Sequence, residues 1–154
     1  MQAVTQESLT LGATGLRVGA VGVGTNRWGS GAVADARATF DALLDAGVTL
    51  IDTAEIYAGG ASERTVGRCI HESGRKPLVL TKFFPFPWRL GRRAMRAALR
   101  ASLQRLQLPR VDVYLLHFPW PPVRASPCGR KRSRSSSRAR NLPSGSSLDL
   151  AYPA

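Results

Sequence analysis

The 154-residue chain is short of cysteine, of acidic side chains and of long apolar runs, and each shortage narrows what it can be. Two cysteines, Cys69 and Cys128, cannot build a disulfide framework, so a reducing compartment is the expectation. No stretch reaches the ~18–20 consecutive apolar residues of a membrane span, so no membrane partner is expected. The N-terminus shows neither an apolar signal core nor an Arg/Ser-rich transit segment, because Gln6-Glu7-Ser8 follow Met1 closely. These shortages predict a cytoplasmic location; a plastid location would need a longer N-terminus. Only 10 Asp and Glu face 22 Lys and Arg, for a net charge of +12. Residues 1–123 carry 15 basic against 9 acidic side chains, and residues 124–154 carry 7 against 1. The body is mildly basic, and the tail is a basic appendage.

What is present reads as one domain with enough chain to bury a core. Leu9-Thr10-Leu11 and Leu16-Arg17-Val18 alternate around Gly12 and Gly15, the pattern of a small hairpin. A short buried strand over 20–24 leads into a polar loop, 25–31, that holds Trp28. Ala36, Phe40, Leu43 and Leu44 then recur at helical spacing over 33–46, with Gly47 after them. A strand over 49–52 follows, then a helix over 62–72 with Ser62 as its expected N-cap and Glu63 in its first turn. Val66, Cys69 and Ile70 share the apolar face of that helix, so Cys69 is expected simply to pack. Residues 77–82 make a third buried strand, and 83–88 an aromatic loop. A helix over 91–107 has Met95, Leu99, Leu103 and Leu106 inward and Arg92, Arg93, Arg96, Arg100 and Arg105 mostly outside that stripe. Residues 111–116 form a fourth buried strand, which ends at His117.

Buried strands that alternate with helices mean parallel βαβ units. The chain is organised around 48–60, where an apolar run ends on Asp52 and a polar loop carries Tyr57. Thr25, Asp52, Lys82 and His117 all fall at strand C-terminal ends and so share one face. A doubly wound sheet gathers its ligands at one switch point, whereas four consecutive strands that each supply a functional group fit a barrel face better. A Rossmann reading fails, since Gly19, Gly22 and Gly24 are spaced wrongly for GxGxxG and a long loop separates them from the helix.

Asp52, Tyr57, Lys82 and His117 together suit proton transfer. An ammonium ~4 Å from a phenol favours the phenolate by about 4 kcal/mol at an effective dielectric of roughly 20. Asp52 would hold the lysine charged and in place, and His117 would orient a substrate oxygen. The set makes a general acid able to protonate a carbonyl oxygen while another group delivers hydride.

The motifs Gly15-Leu-Arg-Val18, Gly22-Val-Gly-Thr25, Ile51-Asp-Thr-Ala-Glu-Ile-Tyr57, Ser62-Glu63 with Val66-Gly67-Arg68, Thr81-Lys82 and Asp112-Val-Tyr-Leu-Leu-His117 resemble the aldo/keto reductases over residues 8–122. Pro87-Trp-Arg-Leu-Gly91 is similar to a plant and cyanobacterial branch. The resemblance implies a (β/α)8 TIM barrel that reduces aldehydes and ketones with NADPH. It implies Tyr57 as proton donor, Lys82 and Asp52 as the groups that tune it, and His117 as the substrate-orienting residue. It places Gly24, Thr25, Asn26 and Asp52 near the nicotinamide ribose and Trp28 and Trp88 on the walls of a carbonyl pocket. No metal is assigned.

The family runs to about twice this length, and its later strands bind most of the cofactor. The expected fold is therefore an α/β truncated barrel: hairpin, first four strands and three helices in residues 1–123, then a disordered Arg/Ser-rich tail over 124–154. NADP(H) binding is expected to be weak or absent and activity impaired. The change of composition after Pro122 also suits a truncated or mispredicted gene product. Open sheet edges predict self-association or aggregation. The alternative is a non-catalytic half-barrel whose tail, through Arg130 to Arg140, contacts RNA or an acidic partner.

Overall fold

A computed structural model describes residues 8–29, 31 and 35–118. The first turn expected for the helix over 33–46, Cys128 and the basic tail over 124–154 lie wholly or partly outside the described residues.

β1 (Ser8–Thr10) and β2 (Arg17–Gly19) form the antiparallel hairpin, with Leu9 opposite Val18. Its turn is closed by Leu11 N–H donating to the Leu16 carbonyl at 2.9 Å and by the Thr14 hydroxyl on the Leu11 carbonyl at 2.6 Å. Four parallel strands follow: β3 (Gly22–Gly24), β4 (Leu50–Asp52), β5 (Leu78–Phe83) and β6 (Val113–Leu116). They pair in chain order, each with the next. The connections are α1 (Ala36–Asp45), α2 (Ala61–Ser73) and α3 (Gly91–Leu106). Each observed strand starts one or two residues later than its expected run, and β5 extends one residue further, to Phe83.

The runs form strands because both sheet faces need apolar side chains. Register aligns Val23, Ile51 and Val79 in one row. Ile51 and Val79 pack with Trp28, Phe40, Val66, Cys69, Ile70 and Leu106 in the main core. Ile51, Phe40 and Leu106 are fully buried, each contributing about 1.5–3 kcal/mol by area. Phe83 and Tyr114 build a second cluster against Ala98 of α3. Alternation then turns Asp52, Leu80 and Lys82 to the opposite face of the sheet.

α1 is capped as its sequence allows, the Asp35 carboxylate accepting from Ala38 N–H at 2.8 Å. α2 departs from expectation. Its cap is Gly60, at φ 84°, reached through a 3-10 turn over Tyr57–Gly60 in which Ala58 and Gly59 are also left-handed. Ser62 sits inside the helix, fully buried, because its hydroxyl is drawn to threonines at the strand ends rather than to its own helix. On α3, Ala98, Ser102 and Leu106 are the buried positions, while Arg92, Arg93, Arg96 and Arg100 are exposed as expected. Arg105 departs from that group and turns inward to a buried carboxylate. Among the described residues no helix is long and apolar enough to cross a membrane.

Candidate active site

The C-terminal ends of the parallel strands gather the four residues. Asp52 is the last residue of β4 and Lys82 lies on β5. Tyr57 opens the turn before α2 and His117 follows β6, its N–H donating to the Phe83 carbonyl at 2.8 Å. The polar loop after β4 is tied to its neighbour by Thr53 N–H on the Leu80 carbonyl at 2.8 Å, and Tyr57 N–H donates back to Ala54 at 3.1 Å.

Lys82 is the hub. Its ammonium donates to the Asp52 carboxylate, to the Thr53 carbonyl at 3.1 Å and to the Tyr57 hydroxyl at 3.3 Å. Three donors meet three acceptors, so the charge is held with no N–H left over. The ammonium also lies 4.9 Å from the centre of the Tyr57 ring.

The His117 ring stands edge-on to Tyr57, with centroids 5.5 Å apart, and to Phe84 at 5.6 Å. Burial pushes its pKa below the ordinary 6.5, and the Lys82 charge pushes the same way. The imidazole is therefore neutral near pH 7. Among the described residues its buried Nδ1 has no hydrogen-bond partner. A bare lone pair is easier to leave unpaired than a buried N–H, which assigns the proton to Nε2.

Beyond these four, the predicted residues divide. Gly24 lies level with Asp52 across the β3–β4 pair, and the space where a Cβ would stand is open. Asn26 is exposed beside it. Thr25 sits where expected, but its hydroxyl is buried and committed to the Asp52 carbonyl at 3.0 Å and to Ser62 at 2.8 Å. Trp28 is 4% exposed and packs in the main core rather than on an open wall. Trp88 is 81% exposed and stacks on Phe86 with centroids 5.2 Å apart.

Sequence reasoning passed over Glu55. Its nearly buried carboxylate accepts from Phe84 N–H at 2.6 Å and takes both ends of the Arg89 guanidinium, at 3.1 and 2.6 Å. That fork fixes the aromatic loop beside His117. The signal was an acid two residues before Tyr57, facing a second loop whose amides need acceptors. Among the described residues no group of three or more His, Cys, Asp or Glu is arranged for a metal.

The aldo/keto reductase family profile matches residues 20–133. The chain belongs to the aldo/keto reductase family. It is 42% identical over 103 residues to the methylglyoxal reductase YeaE of Escherichia coli strain K12, covering 64% of this chain and 35% of that protein. It is 35% identical over 130 residues to the aldo-keto reductase YhdN of Bacillus subtilis strain 168, covering 76% and 39%. The crystal structure of an aldo-keto reductase from Klebsiella pneumoniae in complex with NADPH superposes with a TM-score of 0.61 at 37% identity, covering 74% of this chain and 40% of that one. The chain thus spans less than half the length of the relatives it matches, and its sheet and helices form part of the α/β barrel of aldo/keto reductases.

Proposed function

We propose that this chain carries the acid–base side of an NADPH-dependent carbonyl reductase. The observation that supports it is the Lys82 ammonium shared between Asp52 and the Tyr57 hydroxyl, with a neutral His117 ring edge-on to the same phenol. Tyr57 gives its proton to the carbonyl oxygen as that oxygen gains charge, and Lys82 stabilises the phenolate left behind. Asp52 and the Thr53 carbonyl keep Lys82 charged and aimed. His117, with its proton on Nε2, orients the substrate oxygen toward Tyr57.

The open backbone at Gly24, exposed Asn26 and the part-exposed Asp52 carboxylate suit the nicotinamide ribose end of the cofactor. NADPH held there would supply hydride to the carbonyl carbon, which with the Tyr57 proton on the oxygen gives the alcohol and NADP+. The Escherichia coli relative makes a short dicarbonyl such as methylglyoxal the first substrate to test.

The matched portion is about two fifths of the Klebsiella reductase. The 154-residue chain alone is therefore expected to bind NADPH weakly and to show carbonyl-dependent NADPH oxidation close to background. Fluorescence titration of NADPH, followed by an oxidation assay with methylglyoxal, tests both statements. Micromolar binding with turnover like that of the longer relatives would contradict them.

A further inference from the structure

The first turn of α2 holds a second network behind the tetrad. Ser62 and Glu63 are both fully buried and reach three successive strands from the helix side of the sheet. Ser62 donates to the Thr25 carbonyl at 2.7 Å, lies 2.8 Å from the Thr25 hydroxyl and meets the Thr53 hydroxyl at 3.0 Å. Glu63 accepts from the Thr81 hydroxyl at 2.6 Å on one oxygen and from Arg105 Nε at 2.5 Å on the other. Arg105 in turn donates to Ser102 at 3.1 Å. Thr25, Thr53, Thr81 and Ser102 have no exposed surface.

Every strand residue in that network adjoins or bonds to the site. Thr53 follows Asp52, and its carbonyl accepts from the Lys82 ammonium. Thr81 precedes Lys82 on β5, and Thr25 donates through both N–H and hydroxyl to the Asp52 carbonyl. Successive side chains on a strand point to opposite faces, so fixing Thr53 and Thr81 from behind sets the tilt and depth of Asp52 and Lys82 in front. A carboxylate as buried as Glu63 stays only with its charge and lone pairs met, which Arg105 and Thr81 accomplish.

We infer that Ser62 and Glu63 are positioning residues that hold Asp52 and Lys82 in register with Tyr57, acting through Thr53 and Thr81. The inference rests on the Lys82–Tyr57 pair being the working acid–base couple. Ser62 and Glu63 touch neither substrate nor reacting atoms; they set where the ammonium sits.

The chain has only three lysines, Lys76, Lys82 and Lys131, which makes a direct test practicable without turnover. An ammonium with all three N–H groups bonded exchanges its protons slowly, so 15N-detected side-chain spectra should show a persistent Lys82 signal, assigned by its loss in Lys82→Met. Ser62→Ala and the near-isosteric Thr81→Val should each speed that exchange about tenfold through local opening, with amide dispersion unchanged. A purely scaffolding role would lower global stability and leave the native-state Lys82 signal alone. If wild-type Lys82 exchanges as fast as Lys76 and Lys131, the Lys82–Tyr57 reading itself fails. If Lys82 is protected but neither variant alters it, the clamp is overturned and the acid–base reading stands. Should Ser62→Ala not fold, Thr81→Val decides alone, because it keeps volume and leaves the Glu63–Arg105 pair intact.

Discussion

At the scale of single residues, what separates the proposed functional side chains from their neighbours is where they stand on a strand. Asp52, Lys82 and His117 were readable because each falls where an apolar run stops. Tyr57 was readable through its fixed distance from Asp52. Ser62 and Glu63 were not readable as clamps, since their partners lie 9 to 42 residues away and an acid in a first helical turn is equally explained by the helix dipole. Arg105 looked like Arg92 or Arg96 for the same reason: nothing local marks the one arginine that meets a buried carboxylate. A loop tryptophan after a glycine strand suits a pocket wall and a core plug alike, and Trp28 packs in the core.

His117 carries a pH prediction at this scale. Its folded pKa lies below 6.5, through burial first and Lys82 second. Above 6.5 neither folded nor unfolded chain binds the proton, so the group is neutral to stability. As pH falls below 6.5 the unfolded chain takes up the proton while the folded one resists, and stability drops toward the lowered folded value. His117→Asn should flatten that segment of the curve. Urea midpoints measured between pH 5 and pH 7 check it, and an unchanged slope in the variant would count against a neutral, buried imidazole.

At the scale of elements, the four strands and three helices were legible as alternating periods of apolar residues, whereas their joints were not. The 3-10 turn over Tyr57–Gly60 needs left-handed backbone at three successive positions, one of them Ala58. Propensity does not announce that, because alanine rarely takes a positive φ. The crossing of α2 and α3 is likewise set by a close approach: a Cβ on Gly67 would run into the Leu106 backbone. Gly67→Ala should therefore cost about 3 kcal/mol, beyond any gain in helix propensity, because backbone cannot step aside as a side chain does. Thermal or urea unfolding measures it directly. A variant as stable as the wild type would mean the helices are less tightly seated than described.

At the scale of the molecule, β3 and β6 are each paired on one side only among the described residues. Leu50, Leu78 and Leu115, on the face opposite the helices, are only part-buried. Unpaired edges of a parallel sheet invite another chain. The 154-residue protein is thus expected to elute above its 16.6 kDa monomer mass in size-exclusion chromatography with light scattering. A monodisperse monomer would contradict it. The partial barrel was legible in the sequence as a run of βα units, because parallel strands need helical crossovers of fixed length. What closes its open side has no counterpart among the described elements.

The central claim, that Tyr57 donates the proton in a carbonyl reduction, is tested most directly by giving this portion a complete barrel. Residues 8–118 can replace the matching portion of the Escherichia coli relative, and kcat for methylglyoxal with NADPH compared between the chimera and its Tyr57→Phe form. The account predicts an active chimera whose kcat falls by about 10²–10⁴-fold on losing the phenol, with NADPH affinity unchanged. A folded, NADPH-binding chimera whose kcat is the same with and without the Tyr57 hydroxyl would contradict it.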